Sequence, residues 1–328
     1  WAEHDHRDAA GPCPARAAAR LLYRDERYYL QIDAHTLFRP RWDAWLVDEL
    51  RWATTTCASS SSSSCAGGGA SPAEEDHRSG GVVVVLTTYP PDFEDASDAD
   101  DVGGPAAVLT PSRFDADGVL RFAARRLSRA PALAGSPVPS PAWCAGFNFG
   151  PGALLGRDVP YDPHARFLFF GEELGMAARL YTRGVDFYAP SRCVAYHRWS
   201  RAGRPDFRRD AARVRGAEAV ADERARALRR LRALLQQQRG EDVGPDLDRF
   251  GLGTVRTLGD YEARLGVRFE DRVVSDAARD AGLPAEAFLS SRTAFSDSAI
   301  ALVTGLAAAS LSDQAAGGPC SSSESVSS

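Results

Sequence analysis

The sequence contains no lysine. All 39 basic residues among its 328 are arginines, isoleucine occurs only at positions 32 and 300, and asparagine only at position 148. This bias is typical of genes with GC-rich codons, so the arginine runs are a weak indication of any ligand. The 44 acidic residues give a net charge of −5, which argues against nucleic acid as a partner.

Cysteine pairs and long apolar runs are also lacking. The six cysteines include no C-x-x-C pair, which indicates neither a zinc cluster nor a disulfide framework and fits a reducing compartment. The longest apolar run, residues 299–311, is too short and too rich in Ser, Thr and Gly to span a bilayer. No signal peptide is visible at Trp1, and a start without Met is consistent with a fragment.

The most informative stretch is residues 28–35, in which mostly apolar residues precede Asp33 and His35. In an extended chain alternate side chains point the same way, so this spacing predicts that both side chains can bind one ion. A carboxylate and an imidazole suit Mn²⁺, Mg²⁺ or Zn²⁺. If the Asp-x-His pair stood alone, we would interpret Asp33 as a turn residue and His35 as a hydrogen-bonded loop histidine. The further motifs favour a metal site instead.

Two carboxylates follow a glycine in the second motif. Residues 167–170 predict a strand that runs into Gly171, and the apolar spacing after it predicts a helix that begins at Glu172 and Glu173. The helix dipole favours carboxylates there, so capping alone explains one glutamate well and two less well. A later predicted strand ends at His197. Residues that follow strands at one sheet edge meet in one crevice, so we expect a shared site.

These side chains predict chemistry at a sugar diphosphate. A divalent ion bound by Asp33, His35 and His197 would leave positions open for a diphosphate and would assist departure of a nucleoside diphosphate. Glu172 or Glu173 would orient or deprotonate an acceptor hydroxyl, or would stabilise positive charge that develops at a sugar carbon.

An ordered series of motifs resembles glycosyltransferase family 60, which includes N-acetylglucosaminyltransferases that modify hydroxyproline on a ubiquitin-ligase adaptor protein. The motifs lie at residues 11–16, 29–35, 146–150, 159–163, 167–173 and 197–201. A further similarity at residues 251–258 extends the resemblance over most of residues 11–275.

The resemblance implies an α/β fold of the GT-A type, with a mixed central sheet flanked by helices and a C-terminal helical extension. It implies a UDP-N-acetylglucosamine donor, retention of configuration at the sugar, and a divalent metal, with Mn²⁺ expected and Mg²⁺ as the alternative. The implied acceptor is a protein hydroxyl, on hydroxyproline or on Ser or Thr. We expect a cytoplasmic location, with the secretory pathway as the alternative if an N-terminal anchor is missing from this chain.

Individual residues take expected roles from the same resemblance. Asp33 and His35 stand where the family carries its metal motif, and Asp33 therefore also contacts the nucleotide sugar. His197 corresponds to a later metal-binding histidine of the similar polypeptide N-acetylgalactosaminyltransferases.

Those transferases also carry a Gly-Glu pair before a helix, where Gly171 and Glu172 stand here. Glu172 and Glu173 are the expected catalytic residues. The resemblance loosely implies an acceptor contact for Glu173, a sugar contact for Asp162 and a diphosphate contact for Arg16.

Composition and helical spacing, together with the resemblance, also predict how the chain is divided. We expect an unstructured start, a catalytic domain, a helical extension and a low-complexity tail at residues 1–10, 11–205, 206–289 and 290–328, with disordered insertions near 57–79 and 92–104. Nothing in residues 1–10 resembles the strand and loop that hold uracil and ribose in GT-A domains. The chain is therefore expected to be N-terminally incomplete or to have an impaired nucleotide site.

Two other functions remain open from the residues alone. His4, His6 and Asp8 resemble the ligand cluster of a metal-dependent hydrolase, although no apolar strand precedes them. Metal-dependent phosphoester hydrolysis without UDP binding would support that function. The second alternative is an inactive GT-A remnant that binds a partner through its arginine-rich helix. Unchanged function after Asp33→Ala and His197→Ala would support this alternative.

Overall fold

A computed structural model describes residues 5–61, 82–95, 106–126, 135–200, 207–237 and 243–280. Most of both predicted insertions, the whole predicted tail and His4 lie outside these residues.

The described residues form short strands and seven α-helices. The strands are β1 (Tyr28–Ile32), β2 (Thr36–Phe38), β3 (Val83–Thr87), β4 (Ala107–Phe114), β5 (Leu120–Arg126), β6 (Val138–Ser140), β7 (Phe147–Pro151), β8 (Val185–Ala189), β9 (Ala195–His197), β10 (Val267–Arg268) and β11 (Val273–Val274). The helices are α1 (Pro12–Ala19), α2 (Trp42–Ser61), α3 (Glu172–Thr182), α4 (Phe207–Arg215), α5 (Ala217–Leu234), α6 (Leu258–Leu265) and α7 (Asp276–Asp280).

A five-stranded mixed sheet lies at the centre, in the order β1-β7-β3-β8-β6. β3 and β8 pair in parallel, and the other neighbours pair antiparallel. β1 and β3 both run antiparallel to β7, so their carboxyl ends and the amino end of β7 meet at one edge. This edge gathers the residues that follow β1 and β3.

The central strand β3 faces two hydrophobic clusters because its side chains alternate across the sheet. Val84 and Leu86 pack with Leu46 of α2 on one face. Val85 packs on the other face, in the cluster that includes Leu174 of α3 and Leu231 of α5. Helices therefore cover both faces, and the predicted α/β fold with a mixed central sheet and a C-terminal helical extension is confirmed.

The strand predicted at residues 167–170 is wrong. That segment is irregular, and Phe167 has a φ of 58°, which no strand residue adopts. The Phe167 ring is fully buried and stacks on Phe207 of α4 with ring centroids 6.2 Å apart. Its apolar character therefore serves to attach the helical extension and does not reflect strand pairing.

The predicted unstructured start is wrong for residues 5–10. His6–Asp8 forms a turn of 3-10 helix, and the buried Ala10 accepts a backbone hydrogen bond from Phe167 N at 2.6 Å. The polar composition did not predict this structure, because backbone groups and the small side chain of Ala10 make the contacts.

The predicted disorder also begins too early in both insertions. α2 continues to Ser61, and the buried Cys57 on it contacts the hydroxyl of Tyr188 at 2.9 Å. Phe93–Asp95 forms a 3-10 turn at the start of the second insertion.

Replacing Leu46 with alanine tests the packing of α2 on the sheet. Leu46 has no exposed surface, so Leu46→Ala should lower the free energy of unfolding by about 3 kcal/mol in urea titrations. Leu37→Ala is the control because Leu37 of β2 is 51% exposed, and it should cost less than about 1 kcal/mol. Similar losses in both variants would contradict this packing.

Candidate functional site

A cleft of 590 Å³ lies at the sheet edge where β1, β3 and β7 meet. Asp33 follows β1, Tyr89 follows β3, and Gly146 precedes β7. Glu172 and Glu173, the first two residues of α3, complete the inner wall. The structure thus brings together residues that the sequence separates by more than a hundred positions.

Arg16 joins the first and second predicted motifs through two ion pairs. Its Nη2 donates to Oδ1 of Asp33 at 2.6 Å, and its Nη1 donates to Oε1 of Glu172. The Arg16 side chain is 16% exposed and that of Glu172 is 5% exposed, whereas Asp33 keeps 42% of its side-chain surface. Asp33 therefore faces the open cleft, and Glu172 lies beneath it.

Glu172 has an unusual protonation equilibrium. Burial raises the pKa of its carboxyl to about 7, and the charge and hydrogen bond of Arg16 oppose that rise. Burial of a carboxylate disfavours its charged form, and a nearby cation restores part of the loss. The carboxyl can therefore gain or lose a proton near neutral pH, as a general acid or base requires.

Glu173 is held in one orientation by two donors. Its Oε1 accepts a hydrogen bond from the backbone N–H of Ala145 at 2.9 Å, and its Oε2 accepts one from the hydroxyl of Tyr89. Burial raises the pKa of Glu173, and the bonds from Tyr89 and Ala145 lower it in part. The Tyr89 ring in turn meets the Trp199 ring edge-on at a centroid distance of 5.8 Å.

The backbone brings the predicted histidines close to each other. β2 pairs antiparallel with β9 so that Thr36 lies opposite His197, and the carbonyl of His35 accepts from Arg198 N at 3.2 Å. The extended geometry expected for residues 33–35 is wrong, however. β1 ends at Ile32, and His35 has a φ of 65°, in the left-handed region.

This bend affects the predicted metal site. Within the part of the chain that the structure describes, no three His, Cys, Asp or Glu side chains are arranged to hold a metal ion. The Asp33 carboxylate lies on Arg16 instead, and the His197 ring lies 4.5 Å from the Trp199 ring. One carboxylate and two imidazoles suit Mn²⁺ chemically, yet the side chains would have to reorient, so the metal ligands stay a prediction.

Asp162 does not line the cleft. Its Oδ2 accepts from Nε of Arg230, and its Oδ1 accepts from the backbone N–H of His164 at 3.0 Å. It lies behind Glu172, on the wall of a smaller cavity. A sugar contact for Asp162 stays a prediction that this placement does not support.

Several cleft residues carried no recognisable signal in the sequence. The guanidinium of Arg121 lies 3.3 Å from the ring centroid of Phe170, and both line the outer wall with Trp199. Tyr89 lies just after the apolar strand β3, and this position after a strand is the signal that could have predicted Tyr89 as a cleft residue. Arg121 and Phe170 come from a hairpin and an irregular segment, where no periodic pattern marks a functional residue.

Comparison with known proteins assigns the family. The family model described as Glycosyltransferase (GlcNAc) matches residues 2–271, most of the sequence. The chain belongs to this glycosyltransferase family. The prediction of a glycosyltransferase is thereby confirmed, whereas family 60 and a hydroxyproline acceptor stay predictions.

Among solved structures, this chain is similar to the crystal structure of GalNAc-T7 with UDP, GalNAc and Mn²⁺, at 12% sequence identity and a TM-score of 0.42. The similarity covers 77% of this chain and 43% of the GalNAc-T7 chain, so this chain spans less than half of that structure. No curated protein matches the sequence. Among the described residues, no helix of this glycosyltransferase is long and apolar enough to cross a membrane.

The raised pKa of Glu172 predicts how stability depends on pH. Between pH 4.5 and about 7 the folded carboxyl holds a proton that the unfolded one has released, so its contribution favours folding at low pH and is lost as pH rises through 7. Relative to Glu172→Gln, the wild-type free energy of unfolding should fall by about 3 kcal/mol over this interval. Urea titrations across the pH range measure the difference.

The exposed Glu94 provides the matched control for this measurement. Glu94→Gln should follow the wild-type pH dependence closely. A constant difference between wild type and Glu172→Gln across the range would show that Glu172 titrates normally.

Proposed function

We propose that this glycosyltransferase is a metal-dependent, retaining enzyme of the GT-A type. It transfers N-acetylglucosamine from UDP-N-acetylglucosamine to a protein hydroxyl, on hydroxyproline or on Ser or Thr. The observation that supports this most is the joining of Asp33, Arg16 and Glu172 in one cleft, with Glu173 beside them. The cleft volume of 590 Å³ falls in the range of small-ligand sites.

Asp33 and Arg16 form the donor side of the proposed site. Asp33 is the most exposed of the three paired residues and carries a negative charge toward the cleft. A divalent cation held by Asp33, His35 and His197 would supply Lewis-acid stabilisation to the departing diphosphate. Arg16 would keep its ion pair with Glu172 if Asp33 bound the cation, and its Nη2 would then be able to donate to a diphosphate oxygen.

Glu172 and Glu173 form the reacting side. Ionised Glu172 would lie near the sugar carbon and stabilise the positive charge that develops there as the diphosphate leaves. Glu173 is fixed by Tyr89 and Ala145, so its remaining lone pairs are positioned to accept a hydrogen bond from the acceptor hydroxyl. Fixed groups of this kind contribute orientation without further cost in entropy.

The outer wall suits a protein acceptor. Phe170 is 45% exposed and Trp199 is 44% exposed, and both line the mouth of the cleft. Exposed aromatic side chains of this kind are common anchors in protein interfaces. The sugar, the acceptor residue and a cytoplasmic location rest on the sequence resemblance to family 60.

One observation favours the alternative of a GT-A remnant that binds a partner. The Asp33 carboxylate is already paired with Arg16, and no group of three candidate metal ligands is arranged among the described side chains. Binding of UDP with and without Mn²⁺ separates the two functions, because a remnant would show no manganese dependence.

Asp33→Ala tests the proposed donor side. This change removes the proposed ligand that faces the cleft, so manganese-dependent UDP binding in calorimetry should fall below detection. Asp48→Ala is the matched control because Asp48 of α2 is 74% exposed, and it should bind as wild type does. Wild-type affinity in Asp33→Ala would refute the role of Asp33.

Glu172→Gln tests the reacting side. The amide keeps the shape but removes the negative charge, so UDP affinity should stay within about threefold while sugar transfer falls by about 100-fold or more. Transfer is measured with UDP-N-acetylglucosamine on peptides that carry hydroxyproline, Thr or Ser. A parallel loss of binding and transfer would instead assign Glu172 to donor binding.

A further inference from the structure

A second cavity, separate from the cleft, lies on the opposite side of Glu172. It has a volume of 40 Å³, which is room for about three water-sized molecules and too little for a sugar or nucleotide. Its wall combines two arginines, Arg179 and Arg230, and two carboxylates, Asp162 and Glu172, with mostly apolar side chains that include Leu231 and Phe250.

Arg179 of α3 is a buried cation without a counter-ion among the described residues. It is 3% exposed, and its Nε and Nη2 have no hydrogen-bond partner within the described ranges. Its Nη1 donates to the sulfur of Met176 at 3.1 Å. Its guanidinium carbon lies 5.7 Å from the ring centroid of Phe250, which offers a weak attraction and no charge.

Arg230 of α5 contributes a second donor to the same cavity. It is also 3% exposed; its Nε donates to Asp162 and its Nη1 to the carbonyl of Val243 at 2.8 Å. Its buried Nη2 has no partner in the described part of the chain. Asp162 pairs with Arg230, and the other carboxylate on this wall, Glu172, shares Arg16 with Asp33.

Arg179 is therefore the arginine on this wall that forms no ion pair with a described carboxylate, and Asp162 acts on its charge only from beyond ion-pair distance. Burial and the nearby Arg183 lower the pKa of Arg179 to about 10, which still leaves the side chain charged at neutral pH. A buried lysine can lose its proton, but a guanidinium does so far less readily. A buried charge without a partner strongly disfavours folding, so an ion of opposite sign is expected beside it.

We propose that this cavity binds one small inorganic anion of halide size between Arg179 and Arg230. The unpartnered Nε and Nη2 of Arg179 and Nη2 of Arg230 donate to the anion, and Leu231 and Phe250 enclose it. The apolar wall favours chloride, bromide and iodide over fluoride, because fluoride holds its hydration shell most strongly. The site differs from the donor cleft in place and in size.

Thermal unfolding in sodium salts at constant ionic strength tests the proposal. Sodium bromide or chloride should raise the Tm of the wild type saturably, by about 3 °C at an anion concentration near ten times Kd, whereas sodium fluoride should not. Arg179→Met keeps an apolar stem but removes the charge, and should lose the halide-specific rise. Arg213→Met is the matched control on the 72% exposed Arg213 and should keep it.

Two outcomes would overturn the proposal: a wild-type Tm that responds only to ionic strength, or an Arg179→Met protein with the full halide-specific rise. If Arg179→Met does not fold, crystals of the wild-type chain in sodium bromide decide the question. An anomalous bromine peak between Arg179 and Arg230 would support the anion site. Water alone at that position under saturating bromide would refute it.

Discussion

The site depends on one buried cation shared by two carboxylates. The cation is Arg16 of α1, and the carboxylates are Asp33, which follows β1, and Glu172, the first residue of α3. The two ion pairs therefore join three segments of the chain. Each charge is tolerated in a partly buried place only because the others are present. The same arrangement holds Glu172 near the midpoint of its titration, since burial and Arg16 act on its pKa in opposite directions. Stability and proposed chemistry therefore rest on the same contacts.

Local patterns predicted much of the fold. The apolar spacing after Gly171 predicted a helix that begins at Glu172 and Glu173, and α3 begins there. The sequence also indicated Arg16, Asp33, Glu172 and Glu173 as site residues, and the structure places all four on one cleft. Only Asp33 follows a strand of the sheet, whereas Arg16 lies on α1 and the two glutamates follow an irregular segment. The rule that residues after neighbouring strands share a sheet edge therefore explains the position of Asp33 alone.

The failures have physical causes of a different kind. Residues 167–170 have the composition of a strand, but Phe167 gains more by stacking on Phe207, a contact 40 positions away that no local pattern encodes. The spacing of Asp33 and His35 predicts shared orientation only in an extended chain, and the bend at His35 removes that condition. Asp162 pairs with Arg230, and only the packing of α5 shows this partner.

The contact between the start of the chain and Phe167 also bears on how the protein folds during synthesis. Ala10 pairs with Phe167, Phe167 stacks on Phe207, and Arg215 donates to the carbonyl of Asp8. Asp8 thus contacts a residue that lies some 200 positions later in the sequence. Contacts that close such long loops slow folding. A ribosome-bound chain that ends before α4 lacks Phe207 and Arg215, so Phe167 is without its stacking partner and Asp8 without its donor until α4 has been made.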